Sequence, residues 1–563
     1  MSENRQAGPQ LPDSMLASAQ QPYQQVTATY HAIDNGLVTE DSKSAETYYG
    51  LAGMLNKQMR FHEALAAFDT AITIEPDYAE AHNGRGILFV NLNRPAEAIA
   101  GFDRAIALRP DYAEAHNNRG LVLHDLKRLD EALASFDKAL ALQPDNSRIH
   151  SNRGTTLHEA GRFQEALVSF DRAVALKIDY AEAHYNRGVV LQDLQRLDEA
   201  LAAFDAAIAL KPDYAAAYNN RGVVLQDLRR LDEAVTSFEK SIALSGGFAE
   251  AYVNQSYCFL LMGRFADGWR LHEWRKKTAV PVGNRSFPQP LWLGKEDVAA
   301  KTVFVHSEQG LGDTIQFCRY GKLLVEQGAK VAMSVQDPLY PLLKGMSPGI
   351  RMLKRAEVPI EFDYHCPLMS LPLALGTLLE NIPSEPAYLF ADKQQGKTWE
   401  TRLPSRTKLR VGIVWSGNKN QKNDRHRSIE LTTLAPLFSA DVQWISLQKE
   451  LRAGDAPVLQ GLPQITRLGE ELADFSDTAA LIDRLDLVIA VDTSVAHLAG
   501  AMGTPVWILL PYNSDWRWLC GREDSPWYPS ARLFRQDKLC SWNAVVARVE
   551  AALRNHVRSV STY

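Results

Sequence analysis

The sequence predicts an all-α solenoid followed by an α/β domain of two lobes. Three observations carry that expectation. A 34-residue unit recurs through the first half, β-type apolar runs alternate with helical stretches through the second, and a Pro-rich stretch, VPVGNRSFPQPLWLG, separates them. A length of 563 residues exceeds one core, and 46% hydrophobic with 23% charged residues is an ordinary globular composition. A net charge of −6 argues against nucleic acid as a partner, because phosphate binding wants a basic face. The five cysteines are scattered and form no C-x-x-C, so neither a disulfide framework nor a metal site is expected. The polar start MSENRQAGPQLPDS and the absence of any long apolar run predict a cytoplasmic protein with no transmembrane segment.

The repeat is read from PDYAEAHNGRG at Pro76, PDYAEAHNNRG at Pro110, PDNSRIHSNRG at Pro144, IDYAEAHYNRG at Ile178 and PDYAAAYNNRG at Pro212, each 34 residues after the last. A weaker copy begins near Ser42, and a degenerate one runs from Gly246 to about Lys277. Inside a unit the small and apolar positions recur, as with Gly120, Ala132, Phe136, Ala139 and then Pro144. That pattern describes two helices touching at a small residue, and it resembles the tetratricopeptide repeat (TPR). Such units stack because none can bury its apolar face alone, and the stack has a concave groove. The residue before each Arg-Gly, or its equivalent, is Asn118, Asn152, Asn186, Asn220 and Asn254, with Gly84 breaking the series. A line of carboxamides can grip an extended peptide backbone, and the superhelix of the eukaryotic O-linked N-acetylglucosamine transferases is similar in this respect. Near-identical copies also place any surface residue in a column. The column of His82, His116, His150 and His184 lacks Cys or carboxylate partners and reads as surface or packing histidine.

The expected boundaries are an amino-terminal segment or helical cap over residues 1–41, the solenoid over 42–277, a linker over 278–300, lobes over 301–395 and 396–556, and a tail over 557–563. In the second half TVFVHS precedes a helix from about Gly312 to Gln327, and KVAMSVQ precedes one near Leu339. RVGIVWSG, VQWISLQ, LDLVIAVD and PVWILLP follow as further strands, giving parallel sheets in two small Rossmann-like lobes. Ligands of such sheets bind beyond the carboxyl ends of the strands.

Three post-strand segments therefore matter. In HSEQGLGDTIQF, Gly310 and Gly312 allow close backbone approach, and Asp313 is either a helix cap or a general base facing the cleft. After RVGIVWSG, a loop from Asn418 carries Lys419, Lys422, Arg425 and Arg427 against Asp424 alone, a solvated loop or a diphosphate clamp. In VDTSVAHLAGAMG, a strand ends at Asp492 and a helix starts near Thr493 or Ser494, offering free amides and hydroxyls to an anion, with His497 one turn in. Trp516, Trp518, Trp527 and Tyr528 stack on a base or sugar or pack the lobes. His365 is either an acceptor contact or a buried, bonded histidine.

EQGLGDTIQF, VDTSVAHLAGAMGTPVWILLP and DWRWLCGREDSPWYPSARLFRQ together resemble a bacterial family that pairs TPRs with a glycosyltransferase-family-nine domain, related to the ADP-heptose:lipopolysaccharide heptosyltransferases. The resemblance implies a GT-B fold and inverting transfer from a nucleotide diphosphate sugar. It implies Asp313 as catalytic base and Asp492, Thr493, Ser494 and His497 on the donor side, with Ser494 standing where the family has Gly and Arg427 near a phosphate-binding lysine; Gly310, Gly312 and Asn418 are further donor-side candidates from their places after the strands. The sequence contains no D-x-D, so the expected reaction uses no metal and no cofactor beyond the nucleotide sugar. The partners expected are that nucleotide sugar and a protein or peptide in the groove. The competing reading is an interaction scaffold with a degenerate transferase domain. A hydrolase is disfavoured, since neither G-x-S-x-G nor H-E-x-x-H occurs.

Overall fold

A computed structural model describes residues 44–280, 285–421, 424–539 and 541–560. The expected cap over residues 1–41, and Lys422, lie outside the described residues. The chain falls into two compact units that divide between Ala217 and Tyr218.

The first unit is built from helix pairs: α1 (Ala45–Lys57) with α2 (Phe61–Ile74), α3 (Ala79–Asn91) with α4 (Pro95–Leu108), α5 (Ala113–Asp125) with α6 (Leu129–Leu142), α7 (Ser147–Glu159) with α8 (Phe163–Leu176), and α9 (Ala181–Asp193) with α10 (Leu197–Leu210). The four pairs from α3 to α10 close where a glycine of the first helix meets a buried phenylalanine of the second, whereas Ala52 holds that place in α1. A Cβ on Gly120 would stand 2.7 Å from the Phe136 ring, and Gly86, Gly154 and Gly188 face Phe102, Phe170 and Phe204 in the same way. The helices are joined by a residue in the left-handed region, glycine in Gly161 (φ 74°) but not in Lys127 (φ 62°) or Gln195 (φ 59°). The histidine column is structural: Nε2 of His82, His116, His150 and His184 reaches the carbonyl six residues earlier, at 3.0, 3.1, 2.8 and 3.0 Å.

The division falls within α11 (Ala215–Asp227), and the second unit carries the rest of that helix, α12 (Leu231–Leu244), α13 (Ala249–Leu261), α14 (Phe265–His272) and a 3-10 turn over Glu273–Lys276. Two wholly parallel sheets come next. The first is formed by β1 (Thr302–His306), β2 (Lys330–Val335), β3 (Ile350–Lys354) and β4 (Tyr364–Pro367) in the order β3-β2-β1-β4. The second is formed by β5 (Arg410–Val414), β6 (Gln443–Ser446), β7 (Ile465–Arg467), β8 (Leu487–Val491), β9 (Val506–Leu510) and β10 (Ala531–Arg535) in the order β10-β9-β8-β5-β6-β7. Read from its first strand, the second sheet has the doubly wound order of dinucleotide-binding domains, with its switch point between β5 and β8. The switch point of the first sheet lies between β1 and β4.

Two helices start at the mouths of these sheets: α15 (Leu311–Phe317) after β1 and α16 (Ser494–Ala501) after β8. A last helix, α17 (Trp542–Val560), covers the second sheet through Val545, Val546, Val549 and Leu553 and runs past residue 556, into the stretch expected as a tail. The helix expected over residues 312–327 is two, broken at Cys318 and Arg319. Arg319 there turns inward to the carbonyls of Gln316, Pro383 and Trp527 and the Tyr388 hydroxyl. One apolar core runs from Leu260, Phe265 and Trp269 through Val303 and Val305 to Val488, Ile508 and Trp516. The last helix pair is therefore packed into the α/β domain.

Substituting Gly120 by Val should destabilise the first unit by about 1–3 kcal/mol, because the added methyl groups overlap a buried ring in a filled core. Urea unfolding of the variant checks this, and an unchanged midpoint would show that Phe136 has room to move.

Candidate functional site

The site is built where three strand ends converge with the turn over Trp516–Trp518. After β1, Gly310 is the N-cap of α15, and its N–H donates to Asp313 Oδ2 at 2.7 Å. The other carboxylate oxygen, Oδ1, accepts from Arg517 Nη2. Asp313 is therefore a cap and an ion-pair partner at once, with 18% of its side chain still exposed. Burial raises its pKa, and the Arg517 guanidinium works against that rise.

Arg517 is 7% exposed and joins the two lobes. Its Nε donates to Gln316 Oε1 at 2.7 Å and its Nη1 to Asp515 Oδ1 at 2.8 Å, while the guanidinium stacks on Trp516 at 4.3 Å. Asp313 and Arg517 lie 204 residues apart in the chain. The D-W-R-W run stands out in the sequence for its aromatics, and the arginine between them, which sequence reasoning misses, is the residue that reaches Asp313.

After β8, Asp492 and Thr493 lead into α16. Thr493 is the N-cap, but its side chain makes no capping bond, and its buried Oγ1 has no partner. Arg427 lies over Gly417, beyond β5, and Nη1 donates to the Asp492 carbonyl at 3.0 Å. The mouths of β5 and β8 are thus linked by a cation at the switch point. Ser416 Oγ beyond β5 and Ser307 Oγ beyond β1 are also buried without partners. Buried hydroxyls left unbonded by the protein are available to a water or to a bound group. Asp424 holds Arg427 from behind at 3.4 Å and also accepts from Ser428 and from Arg452 beyond β6, so the loop's one carboxylate is shared between a cation of the loop and one from outside it. Asn418 is exposed and accepts from its own loop, at Asn420 N, 2.9 Å away.

His497 sits in the seam between the lobes. Nδ1 is 2.9 Å from Tyr528 Oη, Nε2 is 3.7 Å from Asp492 Oδ1, and the ring stacks on Trp518 at 5.3 Å. Burial, with Arg517, Arg319 and Arg427 nearby, pushes its pKa down, so the imidazole is neutral. Gly312 owes its lack of a side chain to this ring: a Cβ would stand 2.8 Å from His497 Cδ2. Trp516, Trp518, Trp527 and Tyr528 are all buried among the lobes' packing. His365 Nδ1 faces His306 Nε2 at 3.3 Å under Phe287.

The asparagine column is woven into the repeats. In the first unit Asn118 is buried, its Nδ2 donating to Asn83 Oδ1 at 3.2 Å, and Asn152 Nδ2 donates to Asn117 Oδ1 at 3.0 Å. In the second, Asn254 Nδ2 donates to Asn219 Oδ1 at 3.0 Å, and Asn219 to Asn220 Oδ1 at 3.1 Å. Asn186 is half-buried on α9. The partner is the residue that precedes the column in a neighbouring unit, Asn83, Asn117 or Asn219, which the 34-residue spacing alone does not single out.

The tetratricopeptide repeat family matches residues 55–105, 83–147, 130–181, 151–215 and 185–247, and glycosyltransferase family 9 (heptosyltransferase) matches 467–544. The chain joins tetratricopeptide repeats to a glycosyltransferase family 9 domain. The second match spans Asp492, Thr493, Ser494, His497 and Arg517 and stops short of Asp313 and Arg427. Protein FlbA of Caulobacter vibrioides is 29% identical over 328 residues, covering 53% of this chain and 54% of that protein. The chain thus spans about half the length of the curated relative it matches. Among solved structures, the chain is similar to YrrB, a TPR protein with an unusual peptide-binding site (29% identity, 33% of this chain, 95% of that chain, TM-score 0.30), and to PilF of Pseudomonas aeruginosa (20%, 37%, 94%, 0.34). Among the described residues, no helix is long and apolar enough to cross a membrane.

The Asp492 carboxyl, pushed up to about 6 by burial and by the Asp515 charge, has a testable signature. An acid whose folded pKa lies above its unfolded value of about 3.9 costs the fold nothing below that value, and progressively more as pH rises through the folded pKa. Asp492→Asn should therefore gain stability over the parent between about pH 4 and 7, by on the order of 1–3 kcal/mol. Thermal melts across that range decide it; a stability difference independent of pH would mean the carboxyl titrates normally.

Proposed function

We propose that this protein is a cytoplasmic glycosyltransferase of GT-B type. It transfers a sugar from a nucleotide diphosphate donor, with inversion and without a metal ion, to a glycan or protein acceptor recruited by the repeats. One observation carries the reading. A carboxylate from one lobe, Asp313, is paired with Arg517 of the other, and the helix that carries it packs against the helix that starts uncapped at Thr493 and Ser494.

The chemistry follows from those positions. The α16 start offers unbonded amides and the positive end of its dipole, Thr493 adds a free hydroxyl, and Arg427 adds a fixed charge at the same switch point. Together they suit a departing diphosphate and stabilise the charge that develops as the glycosidic bond breaks. Asp313 takes the proton of the acceptor hydroxyl as its oxygen attacks the anomeric carbon from the opposite face, and one displacement inverts that centre. Burial lifts the Asp313 pKa toward the operating range, which improves a carboxylate as a base. Ser494, in place of the expected glycine, puts a hydroxyl at the first helical position, beside the phosphates. The neutral His497 adds no further positive charge to a seam that already holds Arg517, Arg319 and Arg427.

The scaffold reading has one observation in its favour: both Asp313 oxygens already have donors, Gly310 N–H and Arg517. A panel of nucleotide sugars separates the two. The transferase should bind one donor and hydrolyse it slowly without acceptor; binding without turnover under any acceptor mixture would favour the scaffold.

Asp313→Asn should lower the transfer rate by about 10²–10⁴-fold with little change in donor affinity, measured by calorimetry beside steady-state kinetics. Undiminished turnover would remove Asp313 from the role of base. Chelation with EDTA should leave the rate unchanged; a loss that magnesium restores would overturn the metal-independent mechanism.

A further inference from the structure

The switch point of the first sheet, between β1 and β4, holds a side chain from the last repeat. Arg275, in the 3-10 turn after α14, is 2% exposed and pairs with Glu308, which is 1% exposed and lies two residues beyond β1. The pairing is bidentate: Nε to Glu308 Oε2 at 3.2 Å and Nη2 to Oε1 at 2.7 Å. Nη2 also donates to Ser370 Oγ beyond β4 at 2.8 Å, and Nη1 to the His272 carbonyl at 3.2 Å and Glu273 Oε1 at 2.7 Å. Glu308 Oε1 further accepts from Met369 N at 3.1 Å. One guanidinium thus ties the repeat to the ends of both strands that flank the crevice.

Glu308 begins the loop that ends at Gly310, whose amide holds Asp313. The rest of that loop is held by Gln336, at the end of β2. Its Nε2 donates to the Gln309 carbonyl at 2.9 Å, and its Oε1 accepts from Thr314 Oγ1 at 2.8 Å. The loop is therefore held from its own sheet by Gln336 and by the Ser307 N–H, which donates to the Ser334 carbonyl at 3.0 Å, and from the repeats by Arg275. The α13 helix also lies against the Trp516–Trp518 turn, which carries Arg517. We propose that Arg275 is a positioning residue for Asp313: through Glu308 it fixes the Ser307–Gly310 loop, so the last repeat is a working part of the transfer site. This rests on the transferase reading for its catalytic meaning and on geometry alone for the anchoring.

The experiment uses the full chain, with Arg275→Met, the conservative Arg275→Lys, and Arg410→Met as a control that removes a buried guanidinium paired with Glu400 elsewhere in the unit. Hydrogen exchange of residues 307–317 is read beside kinetics. Arg275→Met should speed exchange at the α15 amides at least tenfold and lower kcat by about thirtyfold, leaving donor affinity within about threefold. Arg275→Lys should recover part of both, and Arg410→Met should change neither. If Arg275→Met does not fold, Glu308→Gln, which keeps the shape and removes the charge, carries the same readouts. Unchanged exchange at α15, or donor affinity falling in step with kcat, overturns the proposal. Faster exchange in a chain that turns over no nucleotide sugar keeps the anchoring and sinks the transferase reading instead.

Discussion

The site depends on one ion pair, Asp313 with Arg517. A guanidinium and a carboxylate taken out of water lose several kcal/mol of hydration each, and their mutual attraction rarely returns much more than that. Such a pair contributes placement more than stability. Here Arg517 meets that demand with three further constraints: Gln316, Asp515 and the face of Trp516 fix its plane. Once its plane is fixed, Asp313 has a single orientation, because its other oxygen is held by Gly310. The lobes are thereby registered at the point where chemistry would occur.

Around that pair the seam is made of flat and small groups. Gly312 lets α15 lie against the His497 ring, and His497 in turn lies on Trp518 and bonds Tyr528. A neutral imidazole suits this place, since three guanidiniums stand near it and a further charge would oppose them all. The same logic leaves Asp492 with a raised pKa: burial and the negative Asp515 outweigh the pull of Arg427.

The repeats were legible because one period fixes every element in turn. The pairing of Gly120 with Phe136, and the copies of it, fall at constant spacing, so a single unit describes them all. Asp492, Thr493 and the start of α16 were legible because a buried strand announces its end by the first polar residues after it. The strands β3, β4, β7 and β10 were not: β3 and β10 are interrupted by Arg351 and Arg532, β7 has only three residues, and β4 opens on the half-buried Tyr364 and His365. Contacts between distant segments were the hardest. Nothing near Asp313 names Arg517, and nothing near Glu308 names Arg275. The asparagine column shows the same limit, because a period gives the line of side chains but not the neighbour each one turns to.

Because the last helix pair shares an apolar core with both sheets, a boundary drawn at the Pro-rich stretch would cut through a folding unit. Excising the α/β domain there would strip Phe265 and Trp269 from their places and leave Glu308 a naked buried anion. Evolutionary gain or loss of repeats is accordingly free only at the distal side. Whole 34-residue units ahead of α13 can be added or removed without touching the residues of that shared core.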